Sequence, residues 1–438
     1  MDLFSDLLGA LLVDASSIFF TDIGLPRWLV ILLSDGAGGG IQTLSTFIPP
    51  IALIYLCLSF MEDSGYMARV AFVMDRFCRK IGLPGKAFIP LIVGFGCTVP
   101  AVLSTRTLED EKDRKITMLI VPFISCGARL PVYAVFISVF FRHNAAFMLS
   151  LLHLIGIAVA ICSAIILKRT VLKGEPDEFV MELPPYHVPT AEGILYHTWH
   201  RLKDFVIRAG KLIITAVIIV RFLSGLNSPS EGKDNQSDNI VQKTGKIIQP
   251  VFAPMGISQD NWPAAIALVS GIFSKESVIG TLNSIYLGID SENENQKKSD
   301  SDMFCEIRKA IIKFLKYFAF QHQDIEDSGS QIVRDNDANS GIAKYFKSPL
   351  AAFAYMIFVL LYTPCIAVIA VIQREAGTKW AVFSVVYQTL LAYTLSVIVF
   401  QTGKLMAVNN IPIVFCLLLL GCAIFLAVEF NKRPLKNS

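Results

Sequence analysis

The sequence predicts an all-α polytopic membrane protein, and two features of its composition support that fold class. Of its 438 residues, 53% are hydrophobic and only 17% are charged, whereas soluble globular proteins carry about a quarter charged residues. The apolar residues also come in runs of about 20, the length that a helix needs to cross a bilayer. We therefore expect about seven full membrane spans and two further helices that are broken or re-entrant.

Two short motifs interrupt the apolar runs. Residues 94–100 read Gly-Phe-Gly-Cys-Thr-Val-Pro, and residues 122–131 read Pro-Phe-Ile-Ser-Cys-Gly-Ala-Arg-Leu-Pro. Such clusters break a helix and leave backbone carbonyls without partners, which a bilayer tolerates only where the backbone is buried in protein or lines a cavity. Broken helices near the midplane form the substrate sites of many transporters.

Composition divides the chain into five segments. They are an extracytoplasmic or interfacial N-terminal segment (1–40), a first repeat (41–167), a cytoplasmic linker (168–204), a second repeat (205–401) with a polar extracytoplasmic loop (288–349), and a last span with a cytoplasmic tail (402–438).

The two repeats have similar predicted outlines. The first contains a span at 41–61, a basic loop at 62–87, a broken segment at 88–104 and spans at about 116–140 and 146–167. The second contains a span at 205–226, a polar loop at 227–262, a broken segment at 263–287 and spans at about 350–372 and 380–401, before a last span at about 410–429. Each broken segment is followed by a span that carries proline and cysteine, an outline typical of the inverted repeats of secondary transporters.

The distribution of basic residues predicts the orientation. If each broken segment enters the membrane and returns, the basic loops 62–87, 105–115 and 168–204 fall on one side together with the C-terminus. Basic loops lie preferentially in the cytoplasm. This arrangement places the C-terminus in the cytoplasm and residue 1 outside it.

Three cysteines lie at or near helix breaks: Cys97, Cys126 and Cys365. Irregular backbone at membrane depth usually lines a cavity, and thiolates suit Cu(I), Zn(II) or Fe(II) rather than Mg(II) or Ca(II). These cysteines are therefore candidate ligands for a metal ion in transit. The alternative is that they are small packing residues, which is how we interpret the membrane cysteines away from breaks, Cys57, Cys162, Cys416 and Cys422. Two others, Cys78 and Cys305, are assigned to loops.

Charged residues within the apolar segments form a second set of candidates. Glu276 lies beside Lys275 in the second broken segment, and an ionisable residue at membrane depth is costly and usually functional. We take Glu276 as a fourth candidate ligand, although it could instead pair with a neighbouring cation and hold the fold. Arg129 is a candidate to neutralise a buried carboxylate.

Motifs of other protein classes are missing from the sequence. No Gly-Lys pair is followed by Ser or Thr, so this chain contains no phosphate-binding P-loop, and it contains no His-Glu-x-x-His metalloprotease motif. There is no nucleophile–base set, and no basic patch with interleaved aromatic residues that would indicate nucleic-acid binding. We therefore expect neither an enzyme nor a nucleic-acid partner.

The chain resembles the membrane domain of the FeoB-type ferrous iron transporters. The stretches that carry the resemblance are Glu62–Arg69, Gly82–Lys86, Pro90–Cys97, Pro122–Leu130, Phe179–Pro184, Ser274–Glu276 and Tyr362–Cys365. The resemblance implies two gate regions that flank a family-specific segment, and import of Fe(II), as substrate rather than bound cofactor, across the bacterial inner membrane. It also implies that the cysteines at positions 97, 126 and 365 line the ion path. Thr98 stands where the family motif usually has asparagine.

Members of that family usually begin with a cytoplasmic G domain and one further span, which this sequence does not show. We therefore expect any coupling to GTP to come from a G protein supplied in trans, or the chain to be a truncated product; assembly into a homo-oligomer is left open. Two other functions are considered: a nucleoside-type permease, and a membrane scaffold or fragment that does not transport.

Overall fold

The computed structural model describes residues 38–172, 189–225, 240–258, 260–291, 342–346 and 348–405. The predictions made for residues 1–37, the middle of the linker, most of the loop 288–349, and the last span with its tail lie outside these residues. Contacts divide the chain into two units, 1–60, 189–240 and 289–334 in the first, and 61–188, 241–288 and 335–438 in the second.

The described residues are helical and contain no strand. The α-helices are α1 (Gly39–Asp63), α2 (Tyr66–Ile81), α3 (Phe88–Gly96), α4 (Thr98–Ser104), α5 (Glu111–Ile120), α6 (Leu130–Phe140), α7 (Ala145–Thr170), α8 (Ala191–Gly225), α9 (Ile240–Phe252), α10 (Trp262–Phe273), α11 (Ser277–Ser291), α12 (Pro349–Leu361), α13 (Ile366–Ala376) and α14 (Thr378–Leu405).

Four stretches of the described residues are long and apolar enough to cross a membrane. They are Glu111–Phe140, Arg142–Thr170, Pro349–Ala376 and Thr378–Lys404. Two shorter apolar stretches, Gly85–Gly96 and Trp262–Phe273, lead into the two broken segments. These findings confirm an all-α membrane protein, while the total of seven spans and the inverted symmetry stay predictions.

The first unit contains α8 and most of α1. Helix α8 continues for 35 residues from Ala191 to Gly225, so the predicted boundary at 204/205 between linker and span lies inside one continuous helix. The reason is local: residues 200–209 contain neither glycine nor proline, and nothing there ends a helix. His197 and His200 are exposed on its polar half, in agreement with their interpretation as solvated residues.

The predicted basic loop at 62–87 is largely helical, because most of it forms α2. Met67, Ala71 and Cys78 are buried on one side of this helix, at the spacing of an amphipathic helix. Gly82 adopts a left-handed conformation with φ of 95° and donates its N–H to the carbonyl of Cys78, which ends the helix as a glycine C-cap does. The polar loop predicted at 227–262 likewise contains a helix, α9.

Cys78 is therefore a helical residue and not a loop residue. Burial and the nearby carboxylate of Asp75 raise the pKa of the Cys78 thiol to about 12. Cys78 packs in the hydrophobic core of the second unit.

Helix α12 forms the centre of the second unit. Its residues Ala351 to Leu361 are all buried, which is the pattern of a helix that packs on every side. The break that follows this helix, at residues 362–365, therefore lies in the interior of the unit.

Two ion pairs connect distant parts of the second unit. The side chains of Asp113 in α5 and Lys168 in α7 pair at 1% and 2% exposure. Arg106, after α4, donates two hydrogen bonds, from Nε and Nη2, to the carboxylate of Glu375 in α13. The first pair is buried, so its loss is costly.

Candidate metal site

The first break separates α3 from α4 at Cys97. This residue is extended, with φ of −149° and ψ of 130°, because Gly94 and Gly96 precede it and Pro100 follows it. Its N–H still bonds the carbonyl of Val93 at 3.1 Å. The thiol of Cys97 is half-buried.

The second break lies between α5 and α6 and contains Cys126. Arg129, 1% exposed, donates to the carbonyl oxygen of Pro122 at 3.0 and 3.1 Å and to that of Ile124 at 3.1 Å. The prediction that Arg129 neutralises a buried carboxylate is therefore wrong. Its guanidinium instead satisfies carbonyls that the broken helix leaves without intrahelical partners.

The first two breaks lie close to one another. A Cβ atom on Gly127 would lie 3.6 Å from the carbonyl oxygen of Gly96, and one on Gly94 would lie 3.4 Å from Val121. Both distances are ordinary van der Waals contacts, so the backbones that carry Cys97 and Cys126 lie against each other.

The third break, between α10 and α11, is Ser274-Lys275-Glu276. Ser277 closes it by donating from its hydroxyl to the carbonyls of Ser274 at 2.7 Å and Ser270 at 3.0 Å. Lys275 is buried, at 4% exposure, whereas the side chain of Glu276 is exposed. The role of Glu276 as a metal ligand therefore stays a prediction.

The fourth break follows α12 and ends at Cys365. Pro364 cannot donate a backbone hydrogen bond, and the chain stays extended from Tyr362 to Cys365. The ammonium of Lys275 donates to the carbonyl of Thr363 at 2.7 Å and lies 3.3 Å from the centre of the Tyr362 ring. These contacts join the third break to the fourth across 88 residues of sequence.

The three candidate cysteines lie in one region of the second unit. Helices α4 and α13, which begin directly after Cys97 and Cys365, pack against each other, and Gly127, next to Cys126, lies against the carbonyl of Gly96. Within the described part of the chain, however, no three His, Cys, Asp or Glu side chains are spaced to hold a metal ion together.

The sequence analysis did not predict a role for two polar residues of this region. Tyr362 supports Lys275, and Gln388 in α14 donates its amide to the carbonyl of Leu119 at 3.2 Å, close to the second break. Gln388 is fully buried. The sequence could have indicated Gln388, because a polar residue inside the apolar run 380–401 is unusual. No sequence pattern indicated its contact with Leu119.

The close packing of α7 against the second break predicts that substitution of Gly156 destabilises the protein. A Cβ atom on Gly156 of α7 would lie 2.6 Å from the carbonyl oxygen of Phe123, and that backbone oxygen cannot rotate away as a side chain could. We expect Gly156→Ala to destabilise the protein by about 1–3 kcal/mol, as overpacking does, which would be measured as a lower melting temperature in detergent.

The matched control for that variant is Gly280→Ala in α11. No atom lies within 4 Å of the Cβ position at Gly280, so we expect a change between zero and a gain of about 1 kcal/mol. Equal melting temperatures for the two variants would contradict the close approach of α7 to the second break.

Comparisons with known proteins agree with this architecture. The family described as "Gate: Nucleoside recognition" matches residues 44–140 and 206–379, which together exceed half of the chain. The family described as "Ferrous iron transport protein B C terminus" matches residues 149–201, between those two parts. No solved structure matches.

Curated relatives extend the likeness along the chain. The Fe(2+) transporter FeoB of Escherichia coli is 43% identical over 388 residues, and that of Salmonella typhi is 43% identical over 385 residues. In both cases the match covers 86% of this chain and 50% of the relative, so the chain spans about half the length of these relatives. The chain therefore belongs to the gate family, and its residues 149–201 are similar to the C-terminal family of ferrous iron transport protein B.

Proposed function

We propose that this chain is the membrane permease part of a ferrous iron importer in the bacterial inner membrane. The observation that carries the proposal is that three cysteines lie at helix breaks that are close together. The breaks of Cys97 and Cys126 meet at Gly96 and Gly127, and α13, which begins after Cys365, packs against α4, which begins after Cys97. Fe(II) accepts thiolate ligands, and broken helices are where transporters bind their substrates. The names of the relatives, Fe(2+) transporter, agree with this substrate.

The proposed mechanism is alternating access between two gate repeats. Fe(II) would pass between thiols at the breaks, and neighbouring carbonyl and hydroxyl oxygens would complete its coordination in turn. The site must be weak at each stage because conduction requires that the ion can leave as well as enter. Glu276 is the fourth ligand of this proposal, at the third break.

Gating is assigned to a G protein that binds the cytoplasmic side. Exposed basic residues there, such as Arg76 of α2 and Lys112 of α5, would attract an acidic partner surface. The same residues support the proposed orientation, with the basic segments and the C-terminus in the cytoplasm. Membrane lipid is the remaining partner, and the oligomeric state is not assigned.

A nucleoside permease is the second candidate function. One observation favours it, namely the description of the gate family as "Nucleoside recognition". A nucleoside site would use amide and aromatic groups, and such groups exist in the second unit, for example Gln388 and Tyr387 of α14. Competition between Fe(II) and nucleosides for uptake separates the two functions.

Anaerobic Fe(II) uptake into proteoliposomes tests the proposed function. We expect the full chain to carry Fe(II) when a G protein and GTP are supplied, and nucleosides not to compete. Uptake of a nucleoside that Fe(II) does not inhibit would favour the second candidate. A folded chain that carries neither solute under any of these conditions would identify a fragment or scaffold that does not transport.

A further inference from the structure

One ion pair joins the two short helices that follow Cys97 and Cys365. Helix α4 begins directly after Cys97 and α13 directly after Cys365, and the two helices pack against each other. Arg106, just after α4, donates from Nε to the carboxylate of Glu375 at 3.0 Å, and its Nη2 donates to the other carboxylate oxygen. Glu375 lies in the last turn of α13. The two helices therefore converge at their ends, where a bidentate pair fixes them.

The length of these helices sets the distance between the ion pair and the cysteines. An α-helix rises 1.5 Å per residue, so Arg106 lies about 14 Å along the chain from Cys97, and Glu375 lies about 15 Å from Cys365. Glu375 is also one residue from the end of the apolar stretch Pro349–Ala376. The hydrocarbon core of a bilayer is about 30 Å thick. An ion pair at its surface thus places both thiols near the midplane, where transporters bind their substrates.

A second contact joins the same two segments. The ammonium of Lys115 in α5 lies 5.3 Å from the centre of the Trp380 ring in α14, which is a cation–π distance. Both contacts connect the segment 105–115 of the first predicted repeat to the segment 373–380 of the second. Alternating access moves one repeat against the other. Contacts between the repeats on one side of the membrane must therefore break in one of the two states.

The pair of Arg106 and Glu375 is suited to break and form again. The side chain of Arg106 is 51% exposed and that of Glu375 is 9% exposed, so water can solvate the guanidinium when it leaves. The pair of Asp113 and Lys168 is buried on both sides, and a buried pair is costly to separate. Exposed pairs contribute less to stability. Of these two pairs, the one between Arg106 and Glu375 therefore opens at the lower cost.

Helices α4 and α13 are each bounded by non-helical residues at both ends. Helix α4 follows the extended residue Cys97, and the turn 105–107 after it ends at the extended residue Leu108. Helix α13 follows the extended residue Cys365 and ends at Gly377, whose φ is 92°. Residues at the ends of elements are the usual hinges of moving parts. The ends that the ion pair joins can thus separate without unfolding either helix.

We infer that Arg106 and Glu375 form a cytoplasmic latch, an ion pair that closes the way between the thiols of Cys97 and Cys365 and the cytoplasm. The inference rests on the proposed function and on the proposed orientation, and it adds a gate to them. The pair is formed in this structure, so this state is the one closed to the cytoplasm. Release of the metal ion on that side requires the two charges to separate.

Access to the thiols from the cytoplasmic side tests this inference. Inside-out membrane vesicles that contain the full chain would be treated with a membrane-impermeant cationic methanethiosulfonate, and modification of each cysteine would be followed by mass spectrometry. We expect Arg106→Gln and Glu375→Gln each to raise the modification rates of Cys97 and of the cysteine after Pro364. The increase should be at least about tenfold, because a minor open state of about 10% or less becomes the major one. The double variant should raise the rates no further, since both changes remove the same interaction.

Two controls separate opening of the latch from a general loosening of the fold. Cys162, half-buried within the continuous helix α7, is measured in the same samples and should be modified at an unchanged rate. Lys86→Gln removes a different ion pair, with the exposed Glu109, and should leave the rates at all three cysteines unchanged. Faster modification of Cys162 in the latch variants, or faster modification of the other two from the opposite side in right-side-out vesicles, would overturn the inference.

Failure of the inference and failure of the proposed function have distinct signatures. Unchanged rates in Arg106→Gln and Glu375→Gln, or effects that add in the double variant, overturn the latch. Fe(II) uptake that depends on Cys365 in the same chain would then leave the iron permease intact. Rates that rise as expected in a chain that carries no Fe(II) support the latch and contradict the iron permease.

Discussion

Cys365→Ser is expected to lower Fe(II) uptake by about 100-fold or more, since even supporting residues of metal sites change affinity by about 10–100-fold. Cys365 follows Pro364 at the fourth break, where the chain is extended and α13 begins. Serine preserves the size and the break but replaces a soft sulfur ligand by a harder oxygen. The measurement is anaerobic Fe(II) uptake into proteoliposomes with the G protein and GTP present.

Cys162→Ser is the matched control for that variant. Cys162 is half-buried like Cys365, yet it lies within the continuous helix α7. We expect Cys162→Ser to keep full uptake and Cys97→Ser to lose it as Cys365→Ser does. Equal uptake by all three variants would show that the cysteines at the breaks are packing residues.

Lys168→Met is expected to lower the free energy of unfolding by about 3–5 kcal/mol, the cost of leaving one partner of a buried ion pair without the other. Lys168 and Asp113 are at most 2% exposed, so water cannot replace the lost ammonium around the Asp113 carboxylate. The measurement is the melting temperature of the purified chain in detergent, with Fe(II) uptake as a second readout.

Two further variants make this prediction specific. Lys86→Met removes a lysine whose partner, Glu109, is 83% exposed, and surface pairs contribute about 0–1 kcal/mol. The double variant Asp113→Leu with Lys168→Met should recover much of the lost stability, because an apolar pair can replace a buried ion pair. If Lys168→Met melts at the temperature of Lys86→Met, the buried pair does not stabilise the fold.

The helix breaks could be predicted from the sequence because their cause is local. Glycine and proline around Cys97 and before Cys365 prevent a regular helix wherever these residues lie in the fold. The break at residues 274–276 was predicted from its charged residues alone, and the structure confirms it. No local signal ends a helix near residue 204, and the predicted boundary there lies inside the continuous helix α8.

The partners of the charged residues could not be predicted in the same way. Arg129 was expected to meet a carboxylate, but it binds the carbonyls of Pro122 and Ile124. The sequence favoured Glu276 over Lys275 as a functional residue, although Lys275 is the buried one of the two. Both cations satisfy carbonyls that breaks release, and which carbonyls come within reach depends on how the breaks pack.

The sequence by itself determined the membrane class, the positions of the breaks and the residue types placed there, because hydropathy and backbone stiffness are properties of short segments. Only the tertiary structure decided that Cys97, Cys126 and Cys365 lie in one region of the second unit and that Lys275 reaches Thr363, 88 residues away. Such contacts arise when buried helices such as α12 carry distant breaks into one interior, where each unsatisfied polar group must find a partner.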